Sequence, residues 1–192
     1  MTLRRLHFTP LQRVLHWLMA ICIIAMLFAG VGMVSTIVPR YLAIITIHKT
    51  LGIAILGLSL IRLALRVRFG APELPPDLPL PMKLAAELSH YALYTLMIAM
   101  PLLGWAMLSA AEYPVVLYGG VWLPPILPQS DLLHSILWDA HFYLGFAFFG
   151  LILVHVAAAL FHALVLHDSV FPSMAPLPLS DEIARPDVAP AE

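Results

Sequence analysis

The sequence predicts an all-α integral membrane protein built as a four-helix bundle, on three observations. Of its 192 residues 61% are hydrophobic and only 11% charged, against roughly 25% charged in a soluble domain. Four apolar stretches are each long enough to cross a bilayer, which takes about 20 helical residues. Segments dense in proline or glycine separate the second stretch from the third and the third from the fourth. The net charge of −1 leaves no basic surplus to hold a nucleic acid.

The first span is expected from about Leu15 to Val34. Arg4 and Arg5 ahead of it resemble the start of a secretion signal. The apolar run is too long for a signal core and no small-residue cleavage site ends it, so the segment is read as a retained span. Cys22, the single cysteine, lies inside this span; it can form no intramolecular disulfide and is read as packing. The second span runs from about Tyr41 to Leu63. Gly70 to Pro81 follows, with Pro72, Pro75, Pro76, Pro79 and Pro81, and is read as a rigid loop because proline this dense excludes helix. The third span covers about Leu84 to Leu108. Ala111 to Ser130 is a second loop, whose Tyr113, Tyr118 and Trp122 suit the membrane interface. The fourth span, about Ile136 to Leu166, is longer than a bilayer needs and is expected to tilt or protrude. Residues 1–170 thus form one membrane domain. Residues 171–192, proline-rich and acidic, are expected to be a flexible tail.

Lysine and arginine set the orientation. With the N-terminus inside, the cytoplasmic side collects Arg4, Arg5, Arg13, Arg62, Arg66, Arg68, Lys83 and Arg185, and the outside has only Arg40 and Lys49. Both termini are therefore expected in the cytoplasm, and the Ala111–Ser130 loop outside.

Nine histidines are many for a chain this apolar, and an ionisable residue inside a span is by default a candidate functional group. His16, His48, His141 and His155 lie within or just inside spans, while His90 and His162 lie nearer the ends. His141 and His155 are fourteen residues apart, which on a helix is about 40° short of four full turns and about 21 Å along the axis. They share one face at two depths. With alternating helix directions, depth pairs His48 with His141 on the outer side and His16 with His155 on the cytoplasmic side. His7, His134 and His167 are read as interfacial, and Trp17 and Trp138 as interface anchors rather than electron relays.

Two bis-imidazole sites with almost no buried carboxylate do not suit zinc, which wants three or four ligands. They suit axial ligation of an iron already held by four porphyrin nitrogens. Gly52 follows His48 by four residues and Gly145 follows His141 by four, leaving room for a flat macrocycle one turn away. Arg13, Lys49, Arg62 and Arg66 are candidates to pair with propionates. No Cys-x-x-Cys-His is present, so the haems would be held without thioether links. His162 competes with His155 as the lower ligand, but it lies about 32 Å along the helix from His141, which would push an iron into the headgroups. His155 is therefore the expected ligand.

Four strings carry a family resemblance: Arg13-Val14-Leu15-His16-Trp17, Ile47-His48-Lys49-Thr50-Leu51-Gly52, Leu88-Ser89-His90-Tyr91, and His155 through Ala159 to Phe161-His162. Together they are similar to the prokaryotic cytochrome b561 family of di-haem membrane cytochromes, over roughly residues 5–170. The resemblance implies two haem b groups on ligands matching His16, His48, His141 and His155, and electron exchange with membrane quinone. It also implies a bacterial inner-membrane location. Some members resemble superoxide oxidases that reduce ubiquinone. An anionic substrate is drawn by positive charge, and the outer side offers only Arg40 and Lys49. Two readings therefore stand: a superoxide:ubiquinone oxidoreductase, or an electron-transfer subunit or anchor for a partner dehydrogenase or soluble cytochrome. His162 and His90, at the cytoplasmic ends of their helices, are candidates to meet a quinone headgroup. Haem-replete protein is expected to yield two acid–acetone-extractable haems per chain in a pyridine haemochrome assay. One or none refutes the two-site reading.

Overall fold

A computed structural model describes residues 7–35 and 40–175. Four long helices dominate it: α1 (Pro10–Ser35), α2 (Arg40–Phe69), α3 (Leu80–Ala110) and α4 (Asp131–Phe161). All four are long and apolar enough to cross a membrane. With 26 to 31 residues each, they measure about 39–46 Å against a hydrocarbon core of about 30 Å. α1, α2 and α3 therefore overshoot the apolar runs read from the sequence at both ends, while α4 begins at Asp131, ahead of Ile136, and gives way to a π turn at His162. The protein is a helical membrane bundle. The end holding the start of α1 is called proximal here, the other end distal.

The start of α1 shows how short-range chemistry sets a helix end. Thr9 Oγ1 accepts from the Gln12 backbone N–H at 3.3 Å, and Gln12 Oε1 accepts from the Thr9 backbone N–H at 3.1 Å. This is a capping box, with Pro10 at the first helical position, where its missing N–H costs nothing. The Gln12 amide also donates to the carbonyls of Gly70 (3.1 Å) and Leu65 (3.4 Å), tying α1 to the end of α2.

The loop read over Gly70–Pro81 ends sooner than expected, because α3 opens at Leu80 with Pro81 in its first turn. Proline there gives up only an N–H that has no partner within the helix. Between α3 and α4 the expected loop contains a small hairpin: β1 (Val115–Val116) pairs antiparallel with β2 (Trp122–Leu123), Val115 opposite Leu123. Gly119 and Gly120 turn it with φ of 80° and 81°, a region that side chains avoid. Trp105 Nε1 donates to the Pro124 carbonyl (3.0 Å) and the Tyr118 N–H to Thr50 Oγ1 (2.8 Å), fastening the loop to α3 and α2. Tyr113, Tyr118 and Trp122 are all exposed.

α4 starts at Ser130, whose side chain accepts from the Leu133 N–H. Past Phe161 it widens into a π turn (His162–Leu166) and stops at His167, which has left-handed φ of 51°. A short helix, α5 (Val170–Met174), then folds back on α1. Trp17 Nε1 donates to the Met174 carbonyl (2.9 Å), and the Phe8 N–H to the Ser173 carbonyl (3.1 Å). The flexible tail expected from residue 171 is thus docked through 174, and Trp17 serves this tie rather than standing as a free interface anchor. Residues 176–192, the rest of that expected tail, lie outside the described residues.

Neighbours in sequence are neighbours in space: α1 packs on α2, α2 on α3, and α3 on α4. Leu15, Met19, Leu93, Met97 and Phe148 form the buried core. Ile21, Phe28, Leu42, Leu88, Leu153 and Val154 face outward, an apolar coat of the kind a bilayer covers. Gln12→Ala is expected to cost about 1–3 kcal/mol by removing the cap and the interhelical bonds together. The measurement is the thermal midpoint of the haem-loaded protein, with a surface change such as Leu80→Ala as reference.

Candidate functional site

The helices bring the four intramembrane histidines together in two pairs. The ring centres of His48 and His141 are 6.1 Å apart with planes at 70°, and those of His16 and His155 are 6.4 Å apart with planes at 74°. An imidazole nitrogen sits about 1.1 Å from its ring centre and binds a transition metal at about 2.0–2.1 Å. Two rings facing across one metal are therefore about 6.3 Å apart. Both pairs have that separation. Among the described residues no group of three or more His, Cys, Asp or Glu is arranged to hold a metal ion. The donor set is two imidazoles per level, which matches an iron whose remaining ligands come from a porphyrin.

Two further features bear on the fit at the distal level. His48 Nδ1 is buried without a hydrogen-bond partner, at a cost of about 1–3 kcal/mol, as in a site finished by something other than protein. Glycines also lie against both rings. A Cβ at Gly104 would stand 3.2 Å from His141 Cε1, and one at Gly30 would stand 3.8 Å from His48 Cε1. The glycines singled out by spacing face methionines: a Cβ at Gly52 would meet the Met26 methyl, and one at Gly145 the Met100 methyl, both at 3.6 Å. Spacing on one helix finds a glycine one turn from its own histidine. It cannot find a glycine on the neighbouring helix, which depends on how the two are rotated.

Between the two levels lies Phe148, seven residues from each of His141 and His155 and the only buried residue of α4. It packs with Leu15, Met19, Leu93 and Met97. The middle of the bundle is filled by protein.

The proximal level is richer than the sequence argument expected. His90 packs edge-on against His155 at 5.6 Å between ring centres. Its Nδ1 lies 2.7 Å from the Ala86 carbonyl oxygen, so Nδ1 donates and Nε2 keeps its lone pair. Arg13 is buried nearby in sequence to His16. Arg62 donates through Nε to Tyr94 Oη (3.1 Å) and through a terminal nitrogen to the Gln12 carbonyl (3.4 Å), while Arg66 lies over the Phe8 ring. Lys49, the remaining propionate candidate, is partly exposed at the distal level beside His48.

His162 does not join the ring contacts of His16, His90 and His155. Its Nδ1 meets Asp168 Oδ2 at 2.6 Å instead. Asp168 is a functional candidate the sequence reading passed over, since six residues along an α-helix point to different faces. At the distal end, Tyr41, Tyr113, His134, Ser135, Trp138 and Asp139 line an open groove of about 550 Å³. His134, read as merely interfacial, places Nδ1 3.0 Å from the Met107 carbonyl and so ties α4 to α3.

A membrane-spanning bundle with stacked pairs of facing imidazoles defines the class of membrane haem cytochromes. The chain belongs to the prokaryotic cytochrome b561 family, whose family model matches residues 7–176. It is similar to cytochrome b561 homolog 1 of Escherichia coli (strain K12), at 28% identity over 172 residues, covering 88% of this chain and 97% of that one. It is similar to the probable superoxide oxidase CybB of Yersinia pestis, at 32% identity over 135 residues, covering 68% and 73%. Cytochrome b561 homolog 2 of Escherichia coli (strain K12) is 29% identical over 161 residues, covering 83% and 86%. The protein is accordingly a multi-pass membrane electron-transfer protein of a haem b-binding family.

On the two-site expectation drawn from the sequence, Gly104→Leu is expected to displace the His141 ring and lower haem content by about half. Gly57→Leu, where a Cβ meets nothing within 4 Å, is expected to keep full content. A pyridine haemochrome assay on both variants checks this.

Proposed function

We propose that the protein is a di-haem b-type cytochrome that carries electrons across the bacterial inner membrane to or from ubiquinone. In this reading His48 and His141 hold the distal haem, and His16 and His155 the proximal one. The observation that carries it is the metal-bridging separation of both imidazole pairs, at two depths of one bundle. Haem iron held by two imidazoles supplies reversible one-electron chemistry.

The chain's own groups then have defined tasks. Gly30 and Gly104 clear space against the distal histidines, with Gly52 and Gly145 doing the same toward Met26 and Met100. Arg13 at the proximal level and Lys49 at the distal level balance propionate charge. Phe148 and its neighbours keep water out of the stretch between the two sites. The excess of Lys and Arg supports a cytoplasmic proximal end. His162 and His90 at that end are the residues this reading assigns to a quinone headgroup.

The electron donor separates two readings. The name of the Yersinia pestis relative supports superoxide as the donor, with the chain acting as a superoxide:ubiquinone oxidoreductase. The charges described at the distal end favour the second. Arg40 and Lys49 stand there against Glu112, Asp131 and Asp139, a rim with no net attraction for an anion. That rim suits a partner dehydrogenase or soluble cytochrome, for which the chain is the membrane electron-transfer subunit. Superoxide-dependent reduction of ubiquinone by the purified protein alone supports the first reading. No reduction, with both haems present, supports the second.

The ligand assignment has its own test. His48→Ala and His141→Ala are expected to lose the same haem, and His16→Ala and His155→Ala the other, as read by redox titration of the α band. If His162→Ala removes the proximal haem while His155→Ala keeps it, the assignment is wrong.

A further inference from the structure

We propose that Asp168 is a positioning residue for proton transfer at the proximal end. Its carboxylate holds the Nδ1 proton of His162, so that Nε2 is the atom offered to a quinone oxygen. The inference rests on the reading above that quinone is handled beside His162.

The geometry is specific. His162 Nδ1 and Asp168 Oδ2 are 2.6 Å apart, with side chains 11% and 18% exposed. Asp168 Oδ1 accepts from the Val170 N–H at 2.9 Å, so both carboxylate oxygens are engaged and the group cannot rotate away. An ionised carboxylate only accepts, which makes Nδ1 the donor and gives Nε2 the lone pair of the neutral ring or the proton of the charged one. Nε2 has no hydrogen-bond partner among the described residues.

Regular helix would not produce this contact. Six residues at 100° each would leave Asp168 about 240° around the axis from His162, on another face. The π turn over His162–Leu166 and the left-handed His167 bring it back. A left-handed residue other than glycine persists only where its surroundings enforce it. Here they include the Asp168 N–H donating to the His162 carbonyl (3.4 Å), and the docking of α5 on α1 through Trp17. His162 itself lies seven residues past His155, about 10 Å further along the helix axis, at the C-terminal cap of α4.

The chemistry gives the pair a use. Reducing a quinone to a quinol takes two electrons and two protons. With electrons drawn one at a time from the reduced protein, each is matched by a proton that leaves Nε2 of the cationic ring for a quinone oxygen. An N–H bond breaks and an O–H bond forms. Water at the cytoplasmic end reprotonates Nε2, and two rounds complete the quinol. Asp168 gives up and takes up no proton in this scheme, and it keeps accepting from Nδ1. It stabilises the cationic ring, and it returns the neutral ring in the tautomer whose bare Nε2 takes up the next proton.

The test uses the full-length, haem-loaded protein, reduced and then mixed with ubiquinone-1 in a stopped-flow cell while haem reoxidation is followed. Asp168→Asn is expected to slow the saturating rate about ten-fold or more, within the usual reach of acid–base catalysis. Haem content, the reduced spectrum and the half-saturating ubiquinone-1 concentration should stay as in the unaltered protein. Asp168→Glu is expected to restore most of the rate. In ¹⁵N spectra of the reduced protein, the bare-Nε2 signature of His162 should be lost in Asp168→Asn. If His162→Ala slows reoxidation but Asp168→Asn does not, this proposal is overturned and the quinone site stands. If neither substitution slows it, the quinone reading falls as well. If Asp168→Asn slows it while the His162 tautomer is unchanged and Asp168→Glu rescues nothing, the carboxylate only staples the turn and the proposal is again overturned.

Discussion

A bilayer offers no water to a peptide group, so every backbone N–H and C=O in its interior must be satisfied within its own helix. That constraint makes each span a rigid rod, and a rigid rod turns sequence spacing into depth. The fourteen residues from His141 to His155 become two fixed levels on one face of α4 only because nothing between them is allowed to loosen. Irregular backbone occurs where the constraint lifts. The hairpin between α3 and α4, the π turn at His162–Leu166 and the left-handed His167 all lie at helix ends. The regular part of each helix sets where the paired histidines stand, and the irregular ends supply ties and polar contacts.

Packing follows the same division. The protein fills its own centre with Leu15, Met19, Leu93, Met97 and Phe148. At the distal level it leaves His48 Nδ1 buried without a partner and keeps Gly30 and Gly104 bare. Outward side chains are mostly apolar and exposed, so lipid takes the place that a second layer of protein takes in a soluble fold. On the proposed assignment the two haems complete the interior on either side of Phe148. Near the proximal end, Phe8, Gln12, Arg62, Arg66, Tyr94 and Met174 line a gap of about 10 Å³.

Most of this architecture can be read from the residues because it rests on two local quantities, apolar run length and helical phase. The spans follow from the first, and the face shared by His141 and His155 follows from the second. Pairing His16 with His155 and His48 with His141 needed only the alternation of helix direction, and the structure brings those rings together. Contacts that depend on the rotation of one helix against another were not legible. Gly104 beside His141, His90 beside His155 and the Gln12 bonds to α2 are of this kind. The Thr9–Gln12 capping box was legible in principle, as a threonine followed three residues later by glutamine. Apolar run length alone put the start of the first helix several residues too late. Asp168 was hidden for another reason, since its approach to His162 requires a break in the helix that no periodicity announces.

One arrangement has a bearing on how the molecule is made. Each facing pair takes one member from the first two helices, His16 from α1 or His48 from α2, and the other from α4. Chains leave the ribosome N-terminus first at about 5–20 residues per second. The paired imidazoles therefore cannot meet until the last span has been synthesised and inserted. A chain that stops after α3 carries half of each pair and completes neither. On the proposed ligand assignment, pigment in the membrane would report only on chains whose fourth span is in place, with α4 acting as the proofreader of the three spans before it.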